Sequence, residues 1–142
     1  MAKETRLRFS IPALPPSVNH YVEHLGGATP KHLRHRKSPE AKAFEENFLT
    51  MLPVSVRGQF VTGNRFSVEV DYFLGPKNKG DVDNFNKVLL DCMAKAGMMR
   101  NAKGDELSDA WIKLLIVEIH DSEEARKIGP RTDVSLEAIW QN

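Results

Sequence analysis

Three carboxylates and one lysine fall within the eleven residues from Asp81 to Asp91, in the run Gly80-Asp81-Val82-Asp83-Asn84-Phe85-Asn86-Lys87-Val88-Leu89-Leu90-Asp91. Oxygen-only ligands at this density suit a hard divalent cation. Mg²⁺ takes one or two carboxylates and completes its octahedron with water and phosphate oxygens. The run reads as the opening of a helix. Residues four apart share a helix face, so Asp83, Lys87 and Asp91 align along one side, while Phe85, Val88, Leu89, Cys92 and Ala96 are left to face a core. A plainer reading of Asp81-Val82-Asp83 is helix capping, since acids at a helix N-terminus gain from its dipole.

Asp109 is the further acid placed for chemistry. It stands at the head of an apolar strand, where a side chain is both held by the scaffold and open to solvent. If the helix packs on the sheet, Asp109 approaches Asp81 and Asp83. Asp105 and Glu106 fall in the polar stretch before it and read as solvated. Lys87 is either an ordinary helix ion pair or the cation that holds a phosphate beside a metal–carboxylate cluster. Asp91 is read as supporting Lys87.

The elements that must position these residues follow from periodicity. Thr5 to Ile11 alternates, with Leu7, Phe9 and Ile11 on one face, and prolines at 12, 15 and 16 end it. Residues 22–37 make a long connection holding the basic cluster Lys31 to Lys37. Ser38-Pro39-Glu40 starts a helix that runs to about Leu52. Residues 54–64 read as a connector. Arg65 to Leu74 is a second alternating strand, with Phe66, Val68, Val70 and Tyr72 inward. The acidic helix runs to about Lys95 and closes at Gly97. Residues 98–108 read as loop. Asp109 to His120 is apolar on both faces, which places it centrally in the sheet. Asp121 to Arg131 reads as a charged loop, and Thr132 to Trp140 as a last strand with Val134, Leu136, Ala138 and Trp140 inward. The expected class is α+β: one mixed sheet of about four strands with two helices, in the order β-α-β-α-β-β.

The 142 residues suffice for one domain with a real core. Apolar residues make up 41% and charged residues 27%, the balance of a globular chain. No apolar run reaches membrane-spanning length and no signal-peptide pattern is visible, so a cytoplasmic protein is expected. The single cysteine, Cys92, excludes an internal disulfide and a cysteine-built zinc site. The net charge of +1 hides an asymmetry. Residues 1–80 carry 12 Lys and Arg against 7 Asp and Glu, and the remainder carries 8 against 12. A basic half joined to an acidic one suits a polyanion cut at a metal site. Arg34, Arg36, Lys37, Lys77 and Lys79 are the candidate phosphate contacts, where bound cations release counterions from nucleic acid.

The run from Gly80 to Asp91, the closing Gly97 and the Asp109-Ala110 pair opening a strand resemble the RusA family of Holliday junction resolvases. Pro15-Pro16-Ser17-Val18-Asn19-His20-Tyr21 is similar to that family's N-terminal segment, and the resemblance covers most of the chain. It implies a homodimeric, Mg²⁺-dependent endonuclease, with Mn²⁺ as a substitute, that cuts four-way DNA junctions by paired symmetric nicks in recombination and repair. By motif, Asp81, Asp83 and Asp109 match the catalytic carboxylates, Lys87 the essential lysine, Asn84 the motif asparagine and Asp91 a recurring helix aspartate. Asn19 is placed with the DNA contacts. The chain departs from the pattern at Ser108, where the family has a second Asp, and in a longer loop before it. The alternatives are a branched-DNA binder with weak or no activity on the same scaffold, or a flap or branch nuclease.

Overall fold

A computed structural model describes residues 3–16, 22–24, 35–78 and 85–139; for Lys3, 22–24 and 35–37 only the backbone is described. In chain order the elements are β1 (Lys3–Glu4), β2 (Arg6–Ile11), β3 (Val22–His24), β4 (His35–Lys37), α1 (Pro39–Met51), β5 (Phe60–Thr62), β6 (Phe66–Phe73), α2 (Asn86–Lys95), β7 (Met99–Arg100), a 3-10 turn (Asp109–Trp111), β8 (Ile112–His120), α3 (Glu123–Ile128) and β9 (Arg131–Ala138).

The class is α+β, built on a four-stranded mixed sheet ordered β2-β9-β6-β8. β9 runs antiparallel to both β2 and β6, and β6 runs parallel to β8. Parallel neighbours need a crossover connection, and here it carries α2. A small parallel sheet, β1-β5-β7, and an antiparallel β3–β4 pair complete the strands.

Alternation decides which sheet face is dry. Leu7, Phe9 and Ile11 of β2, Phe66, Val68, Val70 and Tyr72 of β6, and Val134 and Leu136 of β9 are all buried. They form one core with Phe44 and Phe48 of α1 and Val88, Leu89, Cys92 and Met93 of α2. Phe48 meets Phe9 edge-on at 6.2 Å between ring centroids, and Phe85 meets Tyr72 in the same way at 5.0 Å. Lys95 of α2 reaches Glu45 of α1 at 3.2 Å.

α1 starts as expected. Ser38 is its N-cap, Pro39 follows, and the Ser38 hydroxyl accepts from Ala41 N–H. Gly97 has φ +72° just past the end of α2, where a side chain would be strained.

Five expectations are corrected. The strand at 112–120 lies at an edge of the sheet, and Leu114, Leu115 and Ile116 stay exposed. An apolar run on both faces marks a strand that can be covered on both faces, not one that this fold covers. Residues 98–108 do not read through as loop, because Met98 and Met99 are fully buried and β7 pairs with β5. The connector at 54–64 contributes that partner strand. The charged stretch after Asp121 holds α3, capped by Ser122 with acids in its first turn and bases in its last. Within the long 22–37 connection, β3 and β4 pair as antiparallel strands.

Candidate active site

The described part of α2 begins at Asn86, with Phe85 at the N-cap position and no side-chain cap. No acid lies in its first turn. Lys87 and Asp91 stand one turn apart on α2, while Asp83, expected on the same face, lies outside the described residues. Asp81, Asp83, Asn84, Lys79, Asn19 and Arg34 all lie outside the described residues. Arg36 and Lys37 belong to β4, and Lys77 is exposed in the turn after β6.

Two buried rings fix where α2 starts. Tyr72 is fully buried, and its hydroxyl donates to Asn86 Oδ1 at 2.6 Å. Burial without a charged partner pushes the phenol far above its ordinary pKa, so it stays a proton donor. Phe85 stacks edge-on against the same ring. Together they pin the first turn of α2 to the sheet, one residue before Lys87.

Asp109 reaches the same place by another route. After β7, the Asn101 side chain accepts from the N–H groups of Lys103 and Asp105, and Gly104 turns at φ +89°. Leu107 N–H then donates to Met99 C=O, closing the loop on β7. Asp105 and Glu106 are exposed, as expected. Ser108 follows as the cap of the 3-10 turn, its hydroxyl accepting from Ala110 N–H. A serine caps such a turn as well as an aspartate does.

The outcome is a junction of three charged groups. Lys87 Nζ lies 3.1 Å from Asp91 Oδ1 and 3.6 Å from Asp109 Oδ2. The lysine side chain is about half exposed, while Asp91 and Asp109 are more covered at 17% and 29%. The hydrogen bond to Asp91 comes first in holding the Lys87 ammonium above the usual lysine pKa. Partial burial opposes it, and the charges of Asp91 and Asp109 add to it. Lys87 is thus a fixed cation at neutral pH and not a base.

No protein-family model matches this chain, and no curated protein matches it. The donors around Lys87 are hard carboxylate oxygens, which suit Mg²⁺ and not a thiolate-loving metal.

A second cluster was not anticipated. Asp71, Glu118 and His120 bring one ligand atom each within 4.8 Å of one another on the outer face of β6 and β8. His120 Nε2 is 2.8 Å from Asp71 Oδ1, and its Nδ1 is 3.7 Å from Glu118 Oε2. The ring stacks on Phe73 at 4.4 Å. Each ring nitrogen faces a carboxylate, which reads as an imidazole clamped between two acids. The alternation of β6 and β8 could have shown it, since Asp71 and Glu118 are register partners. His120 closes β8 and Asp109 precedes it, so the whole strand separates the two clusters.

Proposed function

We propose that this chain is a Mg²⁺-dependent endonuclease of the RusA type that nicks four-way DNA junctions, acting as a homodimer in the cytoplasm in recombination and repair. The observation that carries the reading is the approach of Asp109, distant in sequence, to the Lys87–Asp91 pair on one turn of α2, within ion-pair distance of the lysine.

Asp109, together with Asp81 and Asp83 on the motif, would hold the cation, with Mn²⁺ as a substitute. When bound there, it supplies Lewis acidity to the phosphoryl group and to the attacking water. The protein's own residues do the rest. Asp91 holds the Lys87 ammonium charged and directed toward Asp109, so its protons are available to a non-bridging phosphate oxygen as charge builds there. The 101–107 loop and the Ser108 cap hold the Asp109 carboxylate in place against that lysine. Arg34, Arg36, Lys37, Lys77 and Lys79, with Asn19, would grip the backbone, a contact that reads junction shape and not base sequence. A two-fold dimer offers two equivalent sites for two symmetric nicks.

The test is a synthetic four-way junction, end-labelled on each strand in turn, incubated with Mg²⁺. Paired nicks at symmetric positions are expected, with Asp83→Asn and Asp109→Asn retaining junction binding and losing cleavage. Full activity in either variant would remove that residue from the reaction. Binding without nicking in Mg²⁺ and Mn²⁺ would leave a branched-DNA binding protein, and preference for a flap over the junction would reassign the substrate.

A further inference from the structure

One row of side chains on the outer face of the main sheet carries more negative charge than its neighbours balance. Asp71 of β6 is the register partner of Asp133 in β9 on one side and of Glu118 in β8 on the other. Three carboxylates thus stand in line on three adjacent strands, and like charges directly opposite each other weaken a sheet. Asp133 is provided for. Arg131 donates to its Oδ2 at 3.0 Å, and the Ser10 hydroxyl donates to its Oδ1 at 2.6 Å. Asp71 and Glu118 meet His120 instead, and among the described residues neither pairs with a lysine or an arginine. A neutral imidazole leaves two negative charges there, and a divalent cation carries the two positive ones that match.

The imidazole is held in place from outside the cluster. Its ring stacks on Phe73 at 4.4 Å, with 9° between the planes. The Arg131 guanidinium lies over the same Phe73 ring at 4.4 Å. Phe73 is the register partner of both residues, so guanidinium, phenyl ring and imidazole form a second row across the same three strands, beside the carboxylates. The His120 side chain is 27% exposed, against 45% for Asp71 and 69% for Glu118. The nitrogen donor is therefore the fixed member of the group, and the two carboxylates are the members able to swing onto an ion. A stacked nitrogen donor separates this group from a solvated acidic patch.

We infer that Asp71, Glu118 and His120 form a binding site for a divalent cation of the Zn²⁺ class, separate from the oxygen-only site proposed at Asp109. Imidazole with two carboxylates is a donor set for Zn²⁺ and its transition-metal neighbours, whereas Mg²⁺ is bound through oxygen. Three protein ligands leave a fourth position for water. Donors about 2.0–2.2 Å from a tetrahedral ion stand roughly 3.4 Å apart. The ligand atoms of the three residues already lie within 4.8 Å of one another. The 2.8 Å contact between His120 Nε2 and Asp71 opens slightly to admit the ion, and rotation of the exposed Glu118 side chain brings its oxygen in. The backbone need not move.

Such an ion would tie two strands together. β8 is an edge strand, and β6 is its neighbour in the main sheet. Asp71 comes from β6, and Glu118 and His120 come from the end of β8. The ion therefore closes the parallel pair at the end away from Asp109. Its effect belongs to the stability of that edge and not to the chemistry at Lys87, because metal held by the folded arrangement favours the folded state.

The test adds Zn²⁺ alone to the full chain in chelator-treated buffer, with Mg²⁺ in excess to hold the oxygen-only site. Calorimetry should show Zn²⁺ binding that the Mg²⁺ does not suppress. Zn²⁺ at about a hundred times its dissociation constant should raise the melting temperature by several degrees. Asp71→Asn with Glu118→Gln keeps the shape of two exposed side chains and should match wild type in circular dichroism. It should weaken Zn²⁺ by more than roughly tenfold, beyond the lower end of what losing an outer-shell partner costs. His120→Ala should do the same, and Asp109→Asn should leave Zn²⁺ binding unchanged. Wild-type affinity in either the carboxylate double variant or His120→Ala overturns the inference, since the ion would then sit with other donors such as His20, His24, His32 or His35. Suppression of Zn²⁺ binding by the excess Mg²⁺ also overturns it, as does wild type that binds no Zn²⁺ at millimolar concentration.

Discussion

Replacing Tyr72 by Phe isolates the bond that ties the sheet to the start of α2. The ring is fully buried and its hydroxyl donates to Asn86 Oδ1 at 2.6 Å, its one partner among the described residues. Asn86 is only partly covered, so water can replace the lost donor there. The cost at neutral pH should then be that of one hydrogen bond, about 1 kcal/mol, or a melting temperature lower by about 3 °C. The pH dependence makes the test sharper. Tyr72 has its folded pKa raised far above the unfolded value near ~10. Its contribution is complete below that unfolded value and is lost as pH rises, because the unfolded chain sheds a proton that the folded one keeps. Wild type should therefore lose about 1.4 kcal/mol per pH unit above ~10 from this residue, and the phenylalanine variant should not. The two stabilities should cross between about pH 10.5 and 11. The other tyrosine, Tyr21, is common to both proteins and drops out of the difference. Urea unfolding of both proteins at pH 7, 10 and 11 measures the gap. A gap that stays constant across that range would refute the burial argument, because it would mean the phenol ionises in the folded protein.

Ser38→Ala removes the cap of α1 at a buried position and should lower stability by about 1 kcal/mol in urea titration. Gly97→Ala places a Cβ 2.9 Å from both Arg100 Nη2 and Glu106 Oε1 at φ +72°, and should cost about 1–3 kcal/mol by the same measurement. Lys87→Met should leave the melting temperature nearly unchanged, since exposed ion pairs contribute only about 0–1 kcal/mol. It should lower the rate of junction nicking by roughly 10²–10³-fold under single-turnover conditions.

Strands whose alternation separates a wet face from a dry one were legible from sequence. β2 and β6 bury the residues their period assigns to the core, β9 buries Val134 and Leu136 with Ala138 partly covered, and α1 begins on its Ser-Pro-Glu signal. Trp140 falls outside the described residues. The position of β8 was not legible, because hydrophobicity reports what a strand can bury and not which neighbours the topology supplies. β5 and β7 are too short to show a period, and pairing with each other is what makes them strands. α3 had a readable cap in Ser122 followed by two glutamates, obscured by the surrounding charge. At the site, strand-end logic expected Asp109 beside Asp81 and Asp83, which lie outside the described residues; what the structure describes is its approach to Lys87. The Tyr72–Asn86 bond that positions Lys87 needed coordinates, since nothing in spacing tells which buried hydroxyl meets which amide.

The strand between β2 and β6 is β9, the final one in chain order. Until residues 131–138 have been synthesised, the N-terminal strand has no neighbour in the main sheet, and Leu7, Phe9 and Ile11 have no settled place to go. Loop closure across more than a hundred residues precedes any gain from that pairing, which puts this chain among slow, non-local folders. A stalled or shortened polypeptide ending before β9 would therefore display the half-built sheet to chaperones rather than a smaller working molecule.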